Sequence, residues 1–164
     1  MPTPRDPVAA ANDEARGIAH GLLQLPHAAL AYTDPESGTP GISRIAFGLA
    51  PDGGALTFVS TLAPHFHGLN KFADCSILLG EPGSKGDPLV HPRLMLRAKA
   101  TIVEPEAAER PALRDAWLVR HPKSKLYVDF ADFFFVRLAI QSALLNGGFG
   151  KAFRLSADDL TPTL

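Results

Sequence analysis

Ile42-Ser43-Arg44-Ile45-Ala46-Phe47-Gly48-Leu49, then Asp52-Gly53-Gly54, then Ala55-Leu56-Thr57-Phe58-Val59-Ser60, is the stretch that decides the fold. Ile45, Phe47 and Leu49 alternate with Arg44, Ala46 and Gly48, which is the two-residue period of a strand. The Asp-Gly-Gly triplet suits a hairpin turn. Beyond it Ala55 to Ser60 returns as a second strand, with Leu56 and Phe58 on one face. Strands joined by so short a turn pair antiparallel.

Working outward, the same pattern recurs. Upstream, His27 to Thr33 is a short apolar run closed by the turn residues Asp34, Pro35, Ser37 and Gly38. Before it, Val8, Ala11, Ala15, Ile18, Leu22 and Leu25 recur at helical spacing, which predicts a helix over Pro7 to Leu25. Asp6 is its expected N-cap and Pro26 ends it. Downstream, Phe66, Leu69 and Phe72 sit three apart and predict a short helix from Pro64 to Asp74. Cys75 to Leu79 and Arg93 to Val103 read as strands, separated by a Pro- and Gly-rich loop from Glu81 to Pro92. Pro105 to His121 is helical in composition, with Pro111 breaking it or starting a second helix. Phe133 to about Leu145 reads as a long strand, Gly147 to Gly150 as a turn, and Lys151 to Leu155 as the last strand. Asp158 to Leu164 is expected to trail off. Six or seven strands with tight turns and two or three helices predict a mainly β domain with flanking helices, its antiparallel sheet curled into a barrel.

Composition narrows the function classes. The 164 residues fit one domain, and 46% hydrophobic with 20% charged residues is a globular balance. The 16 basic and 17 acidic residues leave a net charge of −1. Phosphate neutralisation supplies most of a nucleic-acid binder's affinity, so this balance argues against a nucleic-acid partner. Cys75 is the only cysteine, which agrees with a reducing cytoplasm. The N-terminal residues carry no apolar signal core, and no stretch approaches the roughly 20 apolar residues that span a bilayer. Phe133 to Leu145 includes Arg137 and Gln141, so no membrane partner is expected.

Six segments in order carry a family resemblance. They are Ile42-Ser43-Arg44-Ile45-Ala46-Phe47; Val59-Ser60-Thr61-Leu62-Ala63-Pro64-His65; Gly86-Asp87-Pro88-Leu89 with Pro92-Arg93-Leu94; Arg120-His121-Pro122 with Leu126-Tyr127-Val128-Asp129-Phe130; and Gly147-Gly148-Phe149-Gly150-Lys151-Ala152, preceded by a helix of small residues. The series resembles the barrel domain of HugZ-type heme-utilisation proteins, a branch of the pyridoxamine 5'-phosphate oxidase-like FMN-binding split barrels, over about residues 8 to 160. The resemblance implies a homodimeric split barrel with FMN, where present, in a groove at the dimer interface. Longer members of the branch carry a second domain, which is expected to be absent from a chain ending at Leu164. The tail Phe153-Arg154-Leu155-Ser156 lacks the basic, histidine-containing motif of true pyridoxamine-phosphate oxidases, which argues against vitamin B6 oxidation.

An FMN site needs a cradle for the phosphate, polar partners along the ribityl chain and an apolar slot for the ring. The resemblance implies Ser43 and Arg44 on the second strand, Ser60 and Thr61 at the end of the third, and His65 beyond them. Strand-end capping would equally explain Ser60 and Thr61, and an exposed strand charge would explain Arg44. His65 and His67 are heme-ligand candidates, but no nearby cysteine or acidic cluster completes a metal site. Arg93 matches a groove-lining position that could hold a flavin carbonyl or a heme propionate. Alternatively it pairs with Asp87 or Glu81 at the surface. Gly148 permits close backbone approach, to a flavin or to a packed strand, and Phe149 could wall the pocket. The run Phe130, Phe133, Phe134 and Phe135 reads as core and dimer interface.

No catalytic acid–base pair or nucleophile elbow stands out. Three functions follow: an FMN-dependent oxidoreductase of an unspecified small substrate, a heme-binding or heme-degrading protein using the same groove, or a non-enzymatic binding module on the same fold.

Overall fold

In a computed structural model the described residues are Met1 and 6–161. In chain order they form β1 (Ala9–Ala10), α1 (Asp13–Leu22), β2 (His27–Thr33), β3 (Pro40–Ala46), β4 (Gly48–Leu49), β5 (Ala55–Ser60), α2 (Pro64–Lys71), β6 (Asp74–Leu79), β7 (Arg93–Ile102), α3 (Arg110–Arg120), β8 (Phe133–Asn146) and β9 (Ala152–Ser156). One sheet runs in the order β1-β9-β8-β7-β6-β2-β3, with β5 paired to both β4 and β8. Every ladder but one is antiparallel. The exception is β1 on β9, which makes the sheet mixed. The path ends at β1 and β3, so the barrel is split and not closed.

Strand β8 is the spine. One of its edges carries β7; the other carries β5 along Phe133–Leu138 and β9 along Ser142–Asn146. Its register against β7 shifts between Arg97 and Ala98, where Gln141 is the extra residue. Such a bulge bends a strand and increases its twist, as a curling sheet requires.

Two apolar clusters flank this sheet. Inside the barrel are Leu30, Ile77, Leu79, Leu94, Leu96, Val136, Leu145 and the small faces Ala15 and Ala19 of α1. Outside it, α3 lays Leu113 and Trp117 onto Leu56, Phe58 and Phe135. Strand β5 is therefore buried on both faces, which explains its nearly continuous apolar sequence. The phenylalanine run divides between them: Phe135 belongs to the outer cluster, Phe134 packs on Phe66 inside, and Phe130 is exposed.

Several boundaries differ from the expectation. Helix α1 starts at Asp13, not Pro7, because Asn12 caps it by accepting the Ala15 N–H at 2.8 Å. Asp6 instead accepts the Val8 N–H, and Ala9–Ala10 are drawn into β1. The expected strand Ile42–Leu49 is broken at Phe47. That residue is fully buried and sends its N–H to the Pro26 carbonyl, so β3 pairs with β2 while β4 pairs with β5. Helix α2 stops at Lys71. Helix α3 begins at Arg110 with Pro111 in its first turn. Asp158–Leu160 form a 3-10 turn that buries Leu160, whereas residues 162–164 lie outside the described ones.

Candidate functional site

The break at Phe47 opens the split. Strands β3 and β5 lie side by side without forming a ladder, linked where the Thr57 hydroxyl donates to the Ala46 carbonyl at 2.7 Å. Directly opposed residues share a face. Ser43, opposite Leu30, therefore faces inward, and Arg44, opposite Ala29, faces outward. Helix α2 follows at the end of the split and carries His65 and His67.

The groups at the split are unequally free. Ser60 Oγ donates to Asp132 (3.2 Å) and accepts the Leu62 N–H, while the Thr61 N–H reaches the Asp132 carbonyl at 2.7 Å. His67 Nε2 donates to the Thr61 carbonyl at 2.7 Å and braces the turn into α2. Ser60 and His67 are thus committed to shaping the loop. By contrast the Arg44 guanidinium, the Thr61 hydroxyl and the His65 ring have no hydrogen-bond or ion-pair partner among the described residues. Helix α2 starts at Pro64, with no side-chain cap from Ala63 at its N-cap position and no acidic residue in its first turn. Pro64 has no N–H and the Phe66 N–H donates to the Ala63 carbonyl, so the His65 and His67 N–H groups and the positive end of the short dipole are left for an anion.

The outer face of the sheet continues from Arg44. One row across the strands reads Arg44, Ala29, Leu78, Met95, Leu144 and Arg154. The next reads Ile42, Ala31, Ser76, Arg97, Ser142 and Ser156. Ile42 is 79% exposed, Leu78 41% and Leu144 37%, so an apolar stripe on this face is left open. Beside it lies a hollow of about 450 Å³ lined by Thr33, Ser76, Arg97, Gln141 and Ser142. Sequence reasoning passed over Ser76 and Ser142. Their only local signal is that each places a hydroxyl beside apolar neighbours in its strand.

Arg93 is on this outer face one row further on, since β7 alternates Arg93, Met95 and Arg97. It pairs with neither Asp87 nor Glu81; its Nη1 donates to the Leu89 carbonyl at 2.8 Å and ties the preceding loop to β7. Gly148 (φ +135°) lies near the Val90 carbonyl, and Phe149 beside it is 91% exposed. Arg93, Gly148 and Phe149 therefore form a loop cluster apart from the α2 end of the split. No group of three metal-binding side chains occurs among the described residues.

Two histidines near these elements are held neutral. Burial pushes the His65 imidazole below its ordinary value of 6.5. Burial does the same to His121, which stacks on Trp117 at 4.0 Å. Its Nε2–H donates to Phe47 O, which opposes the shift, and Arg120 adds to it. The unfolded chain therefore binds more protons than the native one once the pH drops below about 6.5. Stability contributed by these rings is fully present above that pH and is lost as the pH falls toward their depressed native values. The melting temperature is expected to fall between pH 7.5 and 5.5, and less steeply in His121→Gln, which thermal denaturation at the two pH values checks. The lowered carboxyls of Asp34, Asp52, Asp129 and Asp159 act only further down, near and below 3.8.

A family model described as CREG, beta-barrel matches residues 40–161. The chain belongs to the CREG β-barrel family. Among solved structures, the family fold recurs in Atu2129 of Agrobacterium tumefaciens, a protein of unknown function (32% identity, TM-score 0.79, 93% of this chain and 62% of that one). It recurs in a heme binding protein of Mycobacterium smegmatis (27% identity, TM-score 0.80, 93% and 62%). It extends to an FAD-binding protein of Mesorhizobium loti (12% identity, TM-score 0.61, 81% and 91%), where the likeness is of fold alone. The chain thus spans 62% of the length of the first two. No curated protein matches it. The fold is a split barrel with heme-binding and flavin-binding neighbours, and no described helix is long and apolar enough to cross a membrane.

Proposed function

We propose that this CREG-family chain is a homodimeric flavin-binding protein that seats FMN at the split, with its phosphate toward the start of α2. The observation that carries the reading is the uncapped α2 N-terminus, with the unpartnered Thr61 and His65 beside it in the chain and the unpartnered Arg44 on β3, one lip of the split. A phosphate dianion suits that set: a guanidinium, a hydroxyl, an imidazole donor and backbone amides. Burial disfavours the His65 imidazolium in the free chain, so the ring meets the phosphate as a neutral hydrogen-bond donor. The apolar stripe beside Arg44 suits the isoalloxazine ring, and a second copy laid against the same face would exclude water from it. Bound there, FMN supplies hydride or electron transfer, which fits a site without an acid–base pair. The chain's own residues bind the phosphate, orient the ring and shield it.

Heme is the second reading, favoured by the heme binding protein of M. smegmatis. His65 is then the candidate iron ligand and Arg44 a propionate partner. One titration separates the two. FMN is expected to lose fluorescence on binding the purified protein, and Arg44→Ala to weaken that binding about tenfold or more, the worth of a charge-assisted bond. A hemin Soret band lost in His65→Ala, with no FMN binding, would replace the flavin reading with heme. Binding of neither at micromolar concentration would leave a non-enzymatic module.

A further inference from the structure

Tyr32 occupies an unusual position behind the split. It is opposite Gly41 of β3, and its ring lies flat beneath that glycine. A Cβ on Gly41 would come within 2.6 Å of the ring and 2.9 Å of the hydroxyl. On its other side the ring meets α2, where a Cβ on Gly68 would stand 2.5 Å from it and 2.7 Å from the Thr33 carbonyl. His65 closes a third side, edge to ring, at 6.0 Å between centroids. Contacts below 3.0 Å are closed to real side chains, so both positions must lack a Cβ for the ring to lie there. The slot passes from β2 beneath β3, and the phenol end is the part that reaches β3, the strand forming one lip of the split.

The hydroxyl is the odd element in so constrained a slot. It makes no hydrogen bond to any described residue, yet no buried side-chain nitrogen or oxygen lacks a partner among them. The oxygen is therefore accessible. A phenylalanine would fill the same slot without presenting a polar atom at its end. A phenol fixed by two glycines keeps little rotamer freedom to lose when a ligand arrives, which is the condition for an effective polar contact.

We propose that Tyr32 is a positioning and specificity residue for the ligand at the split: its ring is locked by Gly41 and Gly68 so that its hydroxyl meets a polar group of that ligand. The inference rests on the flavin reading above and adds a residue to that site.

The test is FMN titration of the full chain, followed by fluorescence and by the visible flavin spectrum. Tyr32→Phe keeps the ring and removes only the oxygen. Its melting temperature is expected to stay near that of the parent, while FMN binding weakens five- to tenfold and the flavin bands shift. Gly41→Ala, whose added Cβ would meet the Tyr32 ring and hydroxyl, is expected to displace the ring and weaken binding at least as much, and to add nothing further in a Tyr32→Ala background, where no ring remains to displace. Unchanged FMN affinity and spectrum in Tyr32→Phe would overturn the role of Tyr32 while leaving the flavin reading intact. Failure of the parent protein itself to bind FMN would overturn that reading, and this inference with it.

Discussion

Trp117→Ala is expected to destabilise the protein by about 3–5 kcal/mol, the range for truncating a large buried aromatic. Trp117 is 2% exposed and is the residue through which α3 grips the barrel. Its ring packs within 6.0 Å of Phe58 and 5.9 Å of Phe135 and stacks on His121. Its Nε1–H donates to Ser124 Oγ at 3.2 Å, which in turn donates to the Tyr127 hydroxyl. Truncation leaves a cavity that the rigid face of β5 and β8 cannot collapse into, and it removes a donor from a buried serine. A domain of this size holds about 5–15 kcal/mol in all, so the melting temperature should drop by on the order of 10 °C. Thermal and urea unfolding measure it. The exposed Val119→Ala on the same helix should shift stability by no more than about 0.5 kcal/mol. Equal effects at the two positions would show that α3 is not anchored by its tryptophan.

The second large effect concerns association. If the outer sheet face meets a second copy, Leu144→Arg is expected to raise the dimer dissociation constant by about 100-fold or more. An isologous interface presents each substitution twice, and burying an unpaired charge costs several kcal/mol. Leu144 already lies partly open in the single chain, so the folded subunit itself tolerates the arginine. Light scattering across a dilution series should show a dimer for the parent and a monomer for the variant, with similar melting curves at low concentration. FMN affinity should fall in parallel, because the ring loses its cover. A parent protein that remains a monomer at high concentration would reject this use of the face.

Much of the strand content was legible because alternation and turn chemistry act locally. Asp52-Gly53-Gly54 marked the turn before β5, and the apolar periods of β2, β6, β7 and β8 stood out. The departures have non-local causes. Phe47 fits the alternation of Ile45 and Leu49, and only its hydrogen bond to Pro26 reveals that the strand breaks there. Asp6 and Asn12 are equally good caps in sequence; what settles the start of α1 is that Ala9–Ala10 pair with Phe153–Arg154 near the far end of the chain. At the site, the sequence distinguished residue types but not their engagements. Ser60 and His67 look as available as Thr61 and His65 until Asp132 and the Thr61 carbonyl are placed beside them. Tyr32 was hidden inside an apolar run, and the two glycines that fix it are 9 and 36 positions away in the chain.

The spine strand also sets a timetable. Until Phe133–Asn146 has been synthesised, β5 and β7 each lack a neighbour that the finished sheet gives them. Some 130 residues must wait with two open edges, and the pairing that closes the β5 edge spans about 80 positions. Long-range pairing of this kind slows folding and exposes strand edges meanwhile. A nascent chain halted before β8 therefore leaves both edges open to other strands, and the barrel is completed only once β8 and β9 have emerged and not built up progressively along the chain.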